Sequence, residues 1–92
     1  MSWTWDEVKN EVNVHKHGLS FGLAARVFTD PLRISRPDPS QDDRWQTIGM
    51  VGRQTILVVH TWPEDEAEQG RIISARKAIS HEREAYERGD FT

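Results

Sequence analysis

Over its first thirty residues the chain places apolar positions at helical spacing. From about residue 32 onward they crowd into short runs separated by turn residues. Residues 2–5 alternate polar and aromatic side chains and predict a short strand. Asp6 is a good helix N-cap. The helix it opens should run to about His17, with Val8, Val12 and His15 as its inner stripe and Gly18 as a left-handed C-cap. Ser20 caps a second helix in which Phe21, Ala24, Ala25 and Phe28 recur, and Asp30-Pro31 stops it. A strand is expected over 32–36, with Leu32 and Ile34 on one face. The prolines and short polar residues of 37–43 then make a loop. Strands follow over 44–51 and 55–62, joined by a hairpin turn at 51–54. Ile56-Leu57-Val58-Val59 is apolar on both faces, which marks the central, doubly covered strand. A last strand over 71–76 leads into a helix over 78–88, with Gly89 after it. Two helices, an antiparallel meander and a C-terminal helix make an α+β domain. Its 92 residues suit one domain, 1–92, with one modest core.

Composition narrows this picture. No apolar stretch is long enough to span a bilayer, and no basic flank leads into an apolar run near the N-terminus. With no cysteine, disulfides and thiolate metal sites are excluded, which fits a cytoplasmic protein. The net charge of −3 at first argues against a nucleic-acid partner. Its distribution matters more: residues 63–70 carry four acids and no base, so the other residues together are slightly positive. That segment reads as a solvated loop.

Cations and proton carriers collect at the ends of the expected elements: Lys16, His17, Arg44, His60, Arg76 and Glu82. Arginine forks match phosphate oxygens. Histidine, glutamate and lysine can move protons. Each has a plainer reading too. Lys16 and His17 suit a helix C-terminus. Arg44 has Asp42 and Asp43 beside it for an exposed ion pair. His60 shares a face with Ile56 and Val58 and is the kind of histidine that a core satisfies. Arg71 and Arg76 lie an odd number of residues apart, so a regular strand sends them to opposite faces. Tyr86 shares a helix face with Glu82 and is free in principle to pack, to stack on a base or to meet a partner. Trp62, beside Pro63 and the acidic loop, is the tryptophan expected to be exposed to RNA or a partner. His15 and His17 point in different directions on a helix, and no His-Glu-x-x-His run is present, so no metal site is expected.

The ordered set of Trp5-Asp6-Glu7, Lys9, Asn13, Lys16-His17-Gly18, Ser20-Phe21, Val27-Phe28-Thr29-Asp30, Arg44-Trp45, Ile48-Gly49 and Val58-Val59-His60-Thr61 resembles the BrnT family of bacterial toxins. So does its ending, Arg71-Ile72-Ile73-Ser74-Ala75-Arg76 with Glu82-Arg83 and Tyr86. The resemblance runs over roughly residues 3–88. It implies a RelE-like fold and an endoribonuclease that inhibits translation and growth; with no metal-ligand set in the sequence, its cleavage is expected to need no metal or other cofactor. It also implies a BrnA-type antitoxin with a ribbon-helix-helix DNA-binding part. Within the family pattern, Lys16, His17, Arg44 and Arg76 gain weight as site residues, with Arg76 foremost. Gly22 departs from the pattern, where an acid often follows Ser-Phe, and the acidic 63–70 segment is unusual for a family with a basic cleft. A rival reading keeps the scaffold and drops the chemistry, leaving a protein-binding module with incidental RNA affinity.

Overall fold

The computed structural model describes residues 2–65 and 67–92, so one acid of the expected 63–70 loop, Glu66, lies outside the described residues. The chain order is β1 (Trp3–Thr4), α1 (Glu7–His17), α2 (Phe21–Ala24), β2 (Ile34–Pro37), β3 (Trp45–Val51), β4 (Gln54–His60), β5 (Gly70–Lys77) and α3 (Ser80–Arg88). A 3₁₀ turn, Ala25–Thr29, extends α2. The sheet order is β1-β5-β4-β3-β2, with β4 near the centre as its all-apolar run requires. Four strands pair antiparallel. β1 adds a short parallel edge on β5, so the sheet is mixed and not wholly antiparallel as the meander suggested.

The caps form as read. Asp6 accepts from the Val8 and Lys9 N–H groups, Ser20 accepts from Leu23, and Gly18 takes φ +68° at the end of α1. Gly70 answers a different need, since the Trp3 ring lies where any Cβ would stand. On one face of the sheet α2 and its 3₁₀ extension bury Phe21, Ala24 and Val27 against Ile56, Val58, Ile72 and Ala75. That apolar area supplies most of the stabilisation a small domain can gather. On the other face α3 packs on β3, and Ile48 and Leu57 are buried there.

The inner stripe expected for α1 is corrected. Val8 is 69% exposed, Val12 58% and His15 is exposed; the buried residue is Asn13. Beyond its short pairing with β1, β5 has an unpaired edge, and α1 runs along it. Hydrogen-bonding groups are what that edge lacks. The Asn13 amide donates to the Ala75 carbonyl (2.9 Å) and to the Leu19 carbonyl (2.8 Å), and its oxygen accepts from the Ala75 N–H (3.2 Å). One side-chain amide thus substitutes for a strand neighbour, and an apolar residue there would leave backbone groups orphaned. Leu32 is also corrected. It is 69% exposed because Asp30 accepts from the Leu32 and Arg33 N–H groups, holding a turn there, and β2 begins only at Ile34.

Candidate active site

Cross-strand partners share a face of a sheet, so the register sorts every strand residue to one side. Val58 pairs with Ala75 and His60 with Ile72, all on the side of α2. On the opposite side Arg36 pairs with Gln46, Gln46 with Val59, and Val59 with Ser74, a row crossing four strands. Three strand spacings separate its ends, about 14 Å. Leu57 pairs with Arg76 on that same side.

Between these pairs the register slips. Ser74 and Ile72 pair with consecutive residues of β4, Val59 and His60, which leaves Ile73 as a bulge. The extra residue restores parity. Arg71 and Arg76, expected on opposite faces, therefore share the open face. Nothing in the composition of residues 71–76 announces a bulge, because each residue suits a regular strand.

Further cations border this face. Viewed down α1, Asn13 points at β5. Asn10, whose side chain accepts from the Phe21 N–H, marks the flank toward α2. At 3.6 residues per turn Lys9 and Lys16 fall about 40° and about 60° to the other flank, beside the open face. Exposed Val12 and Val8 continue that flank. The N-terminal end of α1 lies close to Arg71. The Lys9 N–H holds the Asp6 carboxyl below the usual range against the cost of burial, and the Arg71 charge adds to the effect. Arg44 precedes β3, with its carbonyl accepting from Asp38 N–H; strand alternation puts it on the Gln46 side.

Arg36 was not singled out from the sequence, where it reads as the polar end of an edge strand. Its Nε donates to Gln46 Oε1 (2.9 Å), and its guanidinium lies 4.5 Å from the centre of the Phe91 ring. Arg76 is held more tightly. Its two terminal nitrogens donate to the two Glu82 oxygens at 2.7 and 2.8 Å, the only ion pair among the described residues. Glu82 is 6% exposed and also accepts from the Ile79 N–H (2.9 Å). Burial pushes its carboxyl up, but Arg76 and the Ile79 N–H outweigh that, and the net shift is downward. Glu82 is thus a poor proton acceptor and a good orienter of Arg76.

The other candidates do not converge there. His60 is fully buried on the α2 side, edge-on to Trp3 and Phe28. A carbonyl can only accept, so Nδ1 donates to Thr61 O (2.8 Å), and Nε2 accepts from Thr47 Oγ1 (2.6 Å). Half-buried Ser35 extends this polar chain, its Oγ lying 2.7 Å from the same Thr47 hydroxyl. Burial lowers the imidazole to about 4, although the Thr61 bond favours the charged form. Trp62 is partly exposed but packs against Trp45 and His60, away from the cations. Tyr86 donates to Asp30 Oδ2 (2.5 Å); burial first, then that bond and the Asp30 charge, push its phenol up to about 12. Asp30 also accepts from the Met50 N–H, so Tyr86 fastens α3 to the start of the β2 arm. His17 lies on the α2 side of Asn13, half-buried, while Lys16 faces the open side.

A family model described as "Ribonuclease toxin, BrnT, of type II toxin-antitoxin system" matches residues 5–82. The chain belongs to the BrnT family. A solved BrnT, the Brucella abortus ribonuclease toxin, is 32% identical, with a TM-score of 0.66 over 87% of this chain and 99% of that one. No curated protein sequence matches significantly. The BrnT segment includes all six cations of the open face and closes on Glu82, the partner of Arg76. Tyr86 and Phe91 lie beyond it. As a member of this family, the chain is a ribonuclease toxin of a type II toxin–antitoxin system, whose target is RNA and whose partner is an antitoxin.

Proposed function

We propose that the open sheet face is the active site of a RelE-like endoribonuclease that cleaves RNA without metal, inhibiting translation in the cytoplasm. The observation that carries this reading is the β5 bulge, which brings Arg71 and Arg76 to the face that holds Arg36. An RNA strand laid along the row from Arg36 to Ser74 meets guanidinium groups at both ends. In the reaction the ribose 2′-oxygen attacks phosphorus, charge builds on the non-bridging oxygens, and the bond to the 5′-oxygen breaks. Preoriented guanidiniums stabilise that charge, and such stabilisation is commonly the largest single contribution. Arg76 is the foremost of them because Glu82 fixes its plane. Lys9 and Lys16 are the proton-carrying groups on the flank of α1 beside this face. Glu82 acts through Arg76, and His60 acts through the core. Metal independence is supported by what faces the substrate, an array of cations, with Arg36 and Arg76 held in place, that does electrostatically what a metal would do.

A BrnA-type antitoxin would then inhibit by covering this face. Val8 and Val12 give it an apolar border, and the cations steer it into place. The test is cleavage of a labelled RNA by folded Arg36→Ala and Arg76→Ala variants. Each should cleave at least tenfold more slowly, and wild-type rates in both would remove the site from this face. The rival reading, a binding module without chemistry, predicts RNA binding with no cleavage by the wild type.

A further inference from the structure

A second cationic feature stands outside the row just described. At the β3–β4 hairpin end of the sheet, Arg53, Gln54, Thr55, Lys77, Ala78 and Arg83 line a recess of about 190 Å³. Three of the six are cations and none is an acid. None of the three forms an ion pair among the described residues. Arg83 is nevertheless fixed, because it donates to the Ala78 carbonyl (2.8 Å) and to Ser80 Oγ (3.3 Å). Both acceptors are neutral, so the guanidinium is oriented with its charge uncompensated. Gln54 adds a neutral donor. Unpaired cations around a small concavity, one of them fixed, suit the tetrahedral oxygens of a phosphate better than a carboxylate or an apolar group. The recess lies at the strand ends beside the main face, where Lys77, paired with Ile56, leaves β5 toward the α2 side. Arg76 precedes Lys77 and donates to the Lys77 carbonyl (3.3 Å).

We propose that this recess is a phosphate subsite, taking a backbone phosphate of the RNA strand beyond the cleaved position as it leaves the open face past Arg76. The inference rests on the reading of that face as the RNA site. It makes the substrate a strand several nucleotides long, with the recess contributing affinity and register and not bond cleavage.

The test compares RNA lengths in wild type and an Arg53→Gln/Lys77→Gln variant, with 2′-O-methyl RNA so that nothing is cut. For a twelve-nucleotide strand the variant should bind about tenfold more weakly. Its plot of log affinity against log salt should flatten by about 0.7, one phosphate contact's worth on a single strand. For a dinucleotide the two proteins should agree within about twofold. Equal weakening at both lengths, or none at either, overturns the subsite. So does a recess that binds inorganic phosphate in the wild type while twelve-nucleotide affinity is unchanged in the variant, which marks a site for free anions. Weaker binding of the antitoxin with unchanged RNA affinity assigns the recess to the partner and also overturns it. Should the double variant melt early, Arg53→Gln alone, in an exposed turn, serves with half the salt effect. Length-dependent binding by a wild type that never cuts natural RNA would keep the subsite and reject the ribonuclease reading, so the two fail separately.

Discussion

The two faces of this sheet use polar side chains in opposite ways. On the α2 side Ser35, Thr47 and His60 bond to one another and to the Thr61 carbonyl, with Thr47 and His60 fully buried and Trp3, Phe28 and Trp62 packed around the imidazole. Every donor there has an internal acceptor, and the histidine is held neutral. On the other face Arg36, Arg71 and Arg76 remain partly or wholly exposed, and only Arg76 is neutralised within the molecule. A residue of the right chemical type is therefore not enough to name a site. His60 is the natural proton carrier by its usual pKa, yet the fold spends it on packing, while plain surface-type arginines gain a role from where the register puts them.

The largest expected effect that sharpens this contrast is on cleavage. Arg76→Ala should raise the barrier by about 2–4 kcal/mol, as loss of a charge-stabilising donor does. It also strands the buried Glu82 carboxylate, so stability should fall as well. Adding Glu82→Gln removes the stranded charge and should recover much of the melting temperature while cleavage stays low. Recovery of cleavage together with stability would show that Arg76 is only structural.

On the covered face the expectation is reversed. His60→Ala removes a buried ring and orphans the Thr47 hydroxyl, and should cost about 2–4 kcal/mol of stability. Below its melting point the variant should still cut RNA within a few-fold of wild type. The imidazole sits at about 4 when folded, against an ordinary value near 6.5. The unfolded chain then binds the extra proton between those values, so stability falls as pH drops from about 6.5 to about 4 and levels off below. The contribution is roughly 3 kcal/mol in wild type and absent from His60→Ala. Denaturant midpoints across that range measure it, and equal pH slopes in the two proteins would contradict the buried assignment.

Smaller effects concern the C-terminal helix. Tyr86→Phe deletes one bond to the Asp30 carboxylate and should lower stability by about 1–2 kcal/mol with cleavage nearly unchanged. Heat denaturation alongside an RNA assay checks this. A large loss of cleavage at constant stability would bring Tyr86 back as a site residue. Val12→Asp should alter neither stability nor RNA cleavage appreciably, but should slow antitoxin association, measured as an on-rate. An unchanged on-rate would place the antitoxin away from this flank.

Much of the fold was legible because local chemistry decided it. Asp6, Gly18, Ser20 and Gly52 are cap and turn residues whose roles depend on their neighbours alone, and the apolar run of β4 announces a central strand. What escaped depends on distant partners. The valines of α1 looked like a core stripe, because nothing nearby says that this helix lies along a strand edge and needs Asn13 inward. The parallel β1 pairing is likewise a matter of tertiary docking. For the site, the sequence singled out Arg76 and Glu82 separately but not the ion pair that joins them, and the family resemblance was borne out over residues 5–82. Arg36 and the common face of Arg71 and Arg76 were not, since one bulged residue at Ile73 reverses the parity argument without leaving a compositional trace.

The central claim is that the open cationic face, acting without metal, does the chemistry. The most direct test is the initial rate of RNA cleavage in EDTA by folded wild type and an Arg36→Ala/Arg76→Ala variant, side by side. The account predicts a wild-type rate unaffected by EDTA and a variant at least a hundredfold slower. A wild-type rate that EDTA abolishes and manganese or magnesium restores, or a double variant that keeps pace with wild type, would contradict it.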